Sequence, residues 1–328
     1  MHYYGGSTIG GRRPVSRRAV ILFAAMAVIW GIPYLLIKIS VSEVTPAFVV
    51  FARTAVGAVI VVPIAAWRGA IGPALRAWRW VLAFAVIEMG AAWLLLGYAE
   101  THVSSSLAGL LVAMVPLISM VVTRLLGDKA AFGARRLAGL GVGLVGVAAV
   151  VGLNLTAGGP PSGWAVAAVF VVAVFYATAP IMASRKLTEV PTLGVVAVSL
   201  AMVAVAYAPA GIAQAPSRWP TANVAAALIG LGVVCTAIAF LCYFALIGEV
   251  GPVRAALVTY LNPAVAILAG WLVRGEQITV GMAVGLPLVL AGSYLATVRG
   301  GRRAEPAPVP AGVAALDEAA AAASAADC

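Results

Sequence analysis

Charged side chains are scarce in this sequence. They make up 10% of its 328 residues, whereas an ordinary soluble domain carries about 25%. Hydrophobic residues account for 63% of the chain, and water could not solvate the surface of a folded domain with that composition. The composition therefore excludes an ordinary soluble domain and indicates an integral membrane protein, whose first partner is the lipid bilayer.

Cysteine and histidine are also scarce, with three and two residues. Cys235 and Cys242 are seven positions apart on one predicted helix, where a rise of about 1.5 Å per residue separates them by roughly 10 Å, too far for a disulfide. The sequence has no CxxC or HExxH spacing, so we expect no structural disulfide, metal site or cofactor. His2 and His102 lie outside the middle of any apolar run, and without clustered acid, base or ligand residues we expect no enzyme.

Long apolar runs dominate the chain, and each is near the 17 to 25 residues that a membrane helix needs. With no water to satisfy backbone groups in lipid, helices are the default structure for such runs. The sequence therefore predicts an all-α polytopic membrane protein with ten transmembrane helices. The runs lie at about 20–37, 47–67, 80–98, 104–126, 137–153, 163–183, 192–213, 223–247, 255–273 and 279–298.

Lysines and arginines give the chain a net charge of +10 and predict its orientation. They lie between apolar runs instead of forming a basic stripe on a polar domain, so no nucleic-acid partner is expected. With a cytoplasmic N-terminus, all but Lys38, Arg53, Arg218 and Arg274 of the 21 fall in cytoplasmic segments. This asymmetry predicts a multi-pass protein of the plasma membrane with both termini cytoplasmic. Residues 1–18 form a predicted cytoplasmic tail, and residues 299–328, rich in alanine and proline, a predicted disordered cytoplasmic tail.

Prolines recur at an offset of about 146 positions. Pro33 has a counterpart in Pro180, and Pro116 has one in Pro263. We interpret this as a duplication with repeats at 19–153 and 162–298. Each repeat holds five spans, an odd number, so the second is inverted relative to the first. Inverted repeats are typical of secondary transporters, whose substrate site lies between the halves near the middle of the bilayer.

Short motifs carry a resemblance to a known family. Trp30-Gly31, Lys38, Pro46 and Arg53 resemble the opening of a repeat in EamA-type proteins of the drug/metabolite transporter superfamily. Its ending is similar to two segments: Pro116, Gly127-Asp128 and Gly139-x6-Gly146, and later Pro263, Gly275-Glu276 and Gly285-x6-Gly292. The resemblance covers residues 20–298 and departs at the second opening, where Phe175-Tyr176 replaces Trp-Gly and no arginine matches Arg53. It implies a ten-helix carrier with cytoplasmic termini that exports amino acids, metabolites or drugs.

Two prolines deep in predicted spans are candidates for the substrate pathway. Pro116 and Pro263 each remove a helical hydrogen bond, at the carbonyls of Val112 and Thr259. Each is either a tolerated kink or part of a matched pair of interruptions, and the match favours a role in binding or gating. Next to Pro263, Tyr260 and Asn262 are candidate polar contacts, although Asn262 could equally bond a neighbouring helix.

Trp30, Tyr34 and Lys38 fall on one face of the first predicted helix, four residues apart. They are candidates for a wall of the pathway, with Lys38 attracting a carboxylate near the extracytoplasmic mouth. The alternatives are packing for the two aromatic residues and snorkelling to the interface for the lysine.

Glu88 is the acidic residue placed deepest in any span, about 12 Å from the start of the third helix. Intramembrane carboxylates commonly mark transport pathways or proton relays, so Glu88 is the candidate for proton coupling. Arg53 is its predicted cationic partner, either in the pathway or as a purely structural pair.

Together these features predict a secondary transporter that moves a small organic solute by alternating access, with export as the predicted direction. A membrane receptor or scaffold without transport is the alternative. No ATP-binding motif is present, so a proton gradient or the solute's own gradient would drive transport. Gly139, Gly141, Gly143 and Gly146 predict close helix packing, with a homodimer contact as an alternative use.

Overall fold

The computed structural model describes residues 16–127, 134–154 and 162–297. Most of the predicted N-terminal tail and the predicted tail 299–328 lie outside these residues. The helices belong to one compact unit, Met1–Ala296. A second unit, Thr297–Cys328, has only its first residue in the described part.

Helices account for all ten predicted apolar runs, and the described ranges contain no strand. A short helix, Ile71–Arg76, follows the second of them, and the ninth is preceded by the helix Pro252–Ala255 and the 3-10 turn Ala256–Tyr260. The helices of the described part are α1 (Arg17–Ser40), α2 (Pro46–Trp67), α3 (Trp78–Glu100), α4 (Ser105–Leu125), α5 (Ala134–Asn154), α6 (Gly163–Lys186), α7 (Thr192–Ala213), α8 (Ala222–Val250), α9 (Asn262–Arg274) and α10 (Val280–Thr297).

Seven of these helices, α1 to α4 and α6 to α8, are long and apolar enough to cross a membrane. The apolar parts of α5 and α10, Leu137–Val150 and Val280–Leu295, are shorter. α9 has 13 residues. The prediction of an all-helical fold is confirmed, whereas the count of ten membrane-spanning helices stays a prediction.

Hydroxyl side chains and prolines begin several helices. Ser16 accepts a hydrogen bond from the Ala19 amide at the start of α1, and Thr45 accepts one from the Phe48 amide at the start of α2. Such caps satisfy amides that have no partner within the helix. Pro46 follows Thr45 at a position where its missing N–H costs nothing.

Interruptions recur at matching places in the two halves. α3 widens into a π-helical segment at Ala85–Ala91, and α8 does so at Gly230–Ile238, about 146 positions later. α4 breaks at Ala113 and Met114, and α9 is preceded by the 3-10 turn Ala256–Tyr260. α1 also breaks at Ile32, before Pro33. Such deviations often occur at functional sites.

Contacts between loops divide the unit into two ends. At one end, which we call the Glu276 end, contacts join the junctions 41–45, 101–104, 214–221 and 275–279. The helices run from there to the opposite end, the Glu249 end, where Ser16 contacts Glu249, Lys186 lies over Trp80 and Gly194 abuts Ala70. Successive long helices therefore alternate in direction.

Glycines allow close approach between the last helices of the two halves. A Cβ built on Gly146 would lie 2.8 Å from the Leu288 Cβ, and one on Gly292 would overlap the backbone of Gly143. α5 and α10 thus pack almost backbone to backbone, which confirms the packing interpretation for Gly143 and Gly146. Gly141 faces open space, and a homodimer contact through α5 stays a prediction.

Candidate substrate pathway

Pro116 and Pro263 each occupy the second position of a helical segment, Val115–Leu125 and Asn262–Arg274. The sequence predicted kinks within continuous helices. The structure instead ends one segment before each proline and begins another, because a proline in the first turn has no helical hydrogen bond to lose.

A serine of α10 connects the two proline breaks. The Tyr260 hydroxyl donates to the Ser293 carbonyl at 3.1 Å, and the Ser293 hydroxyl donates to the Ala113 carbonyl at 3.3 Å. Ser293 is completely buried, so these bonds lie in a region of low dielectric, where leaving a carbonyl unpaired is costly. The chain thus supplies a partner at the α4 break from the opposite half. Sequence reasoning missed Ser293, a single hydroxyl in an apolar run.

Asn262 lies beside the break in α1. A Cβ built on Gly31 would lie 3.2 Å from the Asn262 carbonyl oxygen and would overlap the Val265 side chain. The side-chain oxygen of Asn262 is buried and has no hydrogen-bond partner within the described residues. The broken parts of α1 and α9 therefore meet, and Asn262 offers an acceptor there.

The break at Ile32 separates Trp30 from Tyr34 and Lys38, which the sequence placed on the same face of the first helix. Trp30 contacts the rings of Phe240 and Tyr243 on α8, at centroid distances of 6.4 and 4.6 Å. Tyr34 is buried beside Gly109 of α4, whose missing Cβ leaves room for its ring. Trp30 therefore packs against the second half, and Tyr34 against the first.

Lys38 is half-buried at the Glu276 end. Its Nζ donates to the carbonyl of Glu100 and, at 2.8 Å, to the carbonyl of Val103. The Glu100 carbonyl ends α3 and the Val103 carbonyl lies in the junction just after it, where a positive charge complements the negative end of the helix dipole.

Arg53 lies buried between the halves, and the predicted pair with Glu88 is not formed. Its Nε donates to the Thr236 hydroxyl at 2.9 Å, Nη2 donates to the Cys235 carbonyl at 3.4 Å, and the guanidinium stacks 3.6 Å from the Trp93 ring centroid. The prediction compared the depths of the two residues. It could not show that the side chain turns toward the π-helical segment of α8, whose backbone and hydroxyl groups offer hydrogen-bond acceptors.

Glu88 lies in the π-helical segment of α3. One of its oxygens, Oε2, is buried without a hydrogen-bond partner among the residues the structure describes. Tyr176 of α6 interacts electrostatically with both Glu88 and Arg53, and Tyr243 of α8 also interacts electrostatically with Glu88. The centre of the unit therefore holds a carboxylate and a guanidinium that are not paired with each other.

A second cluster, missed from the sequence, lies at the Glu276 end. Glu276 accepts hydrogen bonds from the amides and hydroxyls of Ser105 and Ser106, at 2.5 to 3.0 Å. Glu100 is completely buried close to Glu276 and Lys38, and neither of its carboxylate oxygens has a hydrogen-bond partner in the described ranges. The sequence signal was Gly275-Glu276, which we used only as a repeat marker.

Hydrogen bonding lowers the pKa of Glu276 and Glu43, the two glutamates in the loops at this end. Burial would raise the pKa of Glu276, but the bonds from Ser106 and Ser105 outweigh it and hold the pKa below the ordinary value of 4.5. At the exposed Glu43, the Thr221 hydroxyl and amide, at 2.6 and 2.8 Å, lower the pKa. Both carboxylates are therefore ionised at neutral pH.

A cavity of about 430 Å³ opens at the Glu276 end between Glu43, Thr221 and Arg274. None of the site residues predicted from the sequence lines it, so it is separate from the central group around Arg53 and Glu88. No cluster of three or more potential metal ligands occurs in the ranges 16–127, 134–154 and 162–297.

Comparisons with known proteins identify the two halves. Residues 17–152 and residues 163–298 each match the EamA-like transporter family. The chain is 27% identical over 282 residues to the uncharacterized inner membrane transporter YedA of Escherichia coli K12, covering 83% of this chain and 90% of YedA. It is 26% identical over 294 residues to a probable terminal-alkyne amino-acid exporter of Streptantibioticus cattleyicolor, covering 88% of this chain and 96% of the exporter.

A solved crystal structure has the same fold. It matches with a TM-score of 0.62 and 21% identity, covering 85% of this chain and 96% of its own. The matching family and the named relatives are transporters, which confirms that the chain is not an enzyme.

Proposed function

The chain belongs to the EamA-like transporter family, and from that membership we propose that it exports a small organic solute across the plasma membrane by alternating access. It is a multi-pass membrane transporter with two copies of the family repeat, as the sequence predicted. The solute, the direction of transport and the mechanism are the parts that we propose.

The mechanistic proposal is based on helix breaks at matching places in the two halves. The breaks at Pro116 and Pro263, joined through Ser293, occur at equivalent places in the repeats. Such pairs are typical of the sites around which transporter halves rock. We expect Pro116→Ala and Pro263→Ala to slow flux while the protein still inserts, because a continuous helix would resist bending; wild-type flux in both would remove the gating role.

An amino acid is the proposed solute. Arg53 has donors beyond the two nitrogens it uses, and no carboxylate lies within ion-pair distance of it among the described residues. Glu88 keeps an unpaired oxygen. Two separated groups of opposite charge complement a solute with one carboxylate and one ammonium group. The relative named as an amino-acid exporter supports this choice.

The orientation is proposed from the distribution of charge, and export is proposed from the relative named as an amino-acid exporter. The segments rich in lysine and arginine lie at the Glu249 end, so we assign that end and both termini to the cytoplasm. The Glu276 end then faces outward. Lys38 near this mouth would attract the solute carboxylate as it leaves.

Flux of labelled amino acids into proteoliposomes tests the function. We expect uptake by the wild type, and at least about a tenfold loss in Arg53→Lys, because a bidentate guanidinium contact would be replaced by a point charge. Glu189→Gln, at an exposed residue of the Glu249 end, is the matched control and should transport normally. No flux of any amino acid by the wild type would favour the receptor or scaffold alternative.

Proton coupling through Glu88 requires a separate test. Glu88→Gln keeps the shape and removes the titratable proton, so we expect normal insertion and a flux that no longer varies with pH. A wild-type pH profile in this variant would exclude Glu88 as the coupling residue.

A further inference from the structure

Two carboxylates join the halves at the Glu276 end, and each accepts hydrogen bonds from the start of a helix in the other half. Glu276, from the second half, binds the first amides of α4 in the first half. Glu43, from the first half, binds the Thr221 amide and hydroxyl at the start of α8 in the second half. Each half therefore places a carboxylate at the positive end of a helix of the other.

The Glu276 contact satisfies two of the amides at the start of α4 that have no partner within the helix. Glu276 takes the amides of Ser105 and Ser106, and Ser104 takes the Leu107 amide at 3.2 Å. Both serine hydroxyls also donate to Glu276. If the halves separated here, the first two amides of α4 would lose their partners, so the contact opposes opening.

The residues next to Glu276 orient its carboxylate toward α4. Gly275 ends α9 with a φ of 65°, a left-handed conformation that glycine adopts without strain, and the Glu276 amide bonds back to the Gly270 carbonyl at 3.1 Å. A Cβ on Gly270 would overlap both the Glu276 carboxylate and the Ser106 hydroxyl. The chain thus keeps room for this contact at a position where alanine would block it.

Glu100 gives independent evidence that the contact covers a functional region. It is fully buried with both oxygens unpartnered in the described part of the chain, next to Glu276 and Lys38. A buried carboxylate without hydrogen bonds is costly. A structure in which this end opens and water reaches Glu100 would remove that cost.

We propose that Glu276 and Glu43 form a two-part latch that holds the halves together at the Glu276 end, and that Glu276 must leave α4 before the central site can open there. Glu276 is the main part, because it is half-buried and accepts four hydrogen bonds, whereas Glu43 is exposed. The equivalent helix start in the second half is Gly251-Pro252, which has no hydroxyl and lacks one amide. The opposite end therefore cannot build the same latch from those two residues. The proposal rests on alternating access as the proposed mechanism.

Spin-label distances in the full-length protein test the latch. One pair, Thr101→Cys with Gln277→Cys, spans the halves at the Glu276 end; a second, Gly72→Cys with Glu189→Cys, spans them at the Glu249 end. In a background with the native cysteines replaced, we expect Glu276→Gln to increase the long-distance population of the first pair roughly tenfold. The second pair should shorten as the first lengthens.

Matched variants separate the latch from general damage. Gly270→Ala should give the same shift by displacing the carboxylate, Glu43→Gln a smaller one, and Glu249→Gln none at the Glu276 end. Unchanged distances in both Glu276→Gln and Gly270→Ala would overturn the latch, even if the wild type transports. Absence of flux in the wild type with shifted distances would instead overturn the proposed function and leave the latch standing.

Discussion

The two ends of the molecule join the halves in different ways. At the Glu276 end, the half-buried Glu276 carboxylate has four short hydrogen bonds to a helix start. At the Glu249 end, Glu249 accepts from the exposed Ser16 hydroxyl at 2.8 Å and lies 3.4 Å from Arg18, whose side chain is 72% exposed. Solvent screens the second contact far more than the first. The repeats are related by sequence, yet the contacts that hold their ends together are not equivalent.

The largest expected effect concerns which side each end faces. Single cysteines at Gly72, of the Glu249 end, and at Trp219, an exposed residue of the Glu276 end, should differ completely in labelling by an impermeant reagent. In intact cells we expect only the Trp219→Cys variant to react, and both after the membrane is opened. Labelling of both from the same side would contradict the alternation of the helices across the membrane.

Loss of the two carboxylates should affect stability unequally. Glu276→Gln removes charge-assisted hydrogen bonds from a half-buried site, so we expect a loss of about 1–2 kcal/mol. Glu249→Gln weakens an exposed pair, and its loss should stay within about 0.5 kcal/mol. Thermal unfolding of the purified variants measures both. Equal losses would mean that burial does not distinguish the two ends.

Low pH should remove the difference between the stability losses of Glu276→Gln and Glu249→Gln. The pKa of Glu276 is lowered in the folded protein, so its stabilisation is complete above its ordinary value of 4.5 and is lost as the pH falls through the lowered pKa. Lys38 and Glu100 are ionisable groups that interact with it, and Arg274 interacts with Lys38. We expect the melting-temperature gap between wild type and Glu276→Gln to be constant from pH 7 to about 5 and to shrink below 4.5. A melting-temperature gap that grows at low pH would contradict the lowered pKa of Glu276.

The smallest effect should come from Glu43. It bonds Thr221 but is fully exposed, so Glu43→Gln should not change the melting temperature measurably, and its consequence should be confined to the opening equilibrium. A large stability loss would show that the second part of the latch is not minor.

Helix positions could be predicted from the sequence because apolar runs of membrane length have few alternatives. The interruptions at Pro116 and Pro263 were also predictable, since proline lacks the donor that a helix needs. The hydrogen-bond partners of the site residues could not be predicted, because the direction in which Arg53 turns depends on the acceptors that α8 presents after folding. Glu276 was noticed only as half of a repeated Gly-acid pair, because its four donors lie on α4, about 170 positions away.

The π-helical segments of α3 and α8 have a consequence for assembly. The Gly90 carbonyl in α3 accepts from the Tyr207 hydroxyl at 3.0 Å, and the Cys235 carbonyl in α8 accepts from Arg53. In both cases the donor comes from the other half. A half-length chain synthesised alone would expose these carbonyls to lipid, where nothing replaces the missing donor. The first repeat should therefore remain incompletely folded in the bilayer until translation delivers α7.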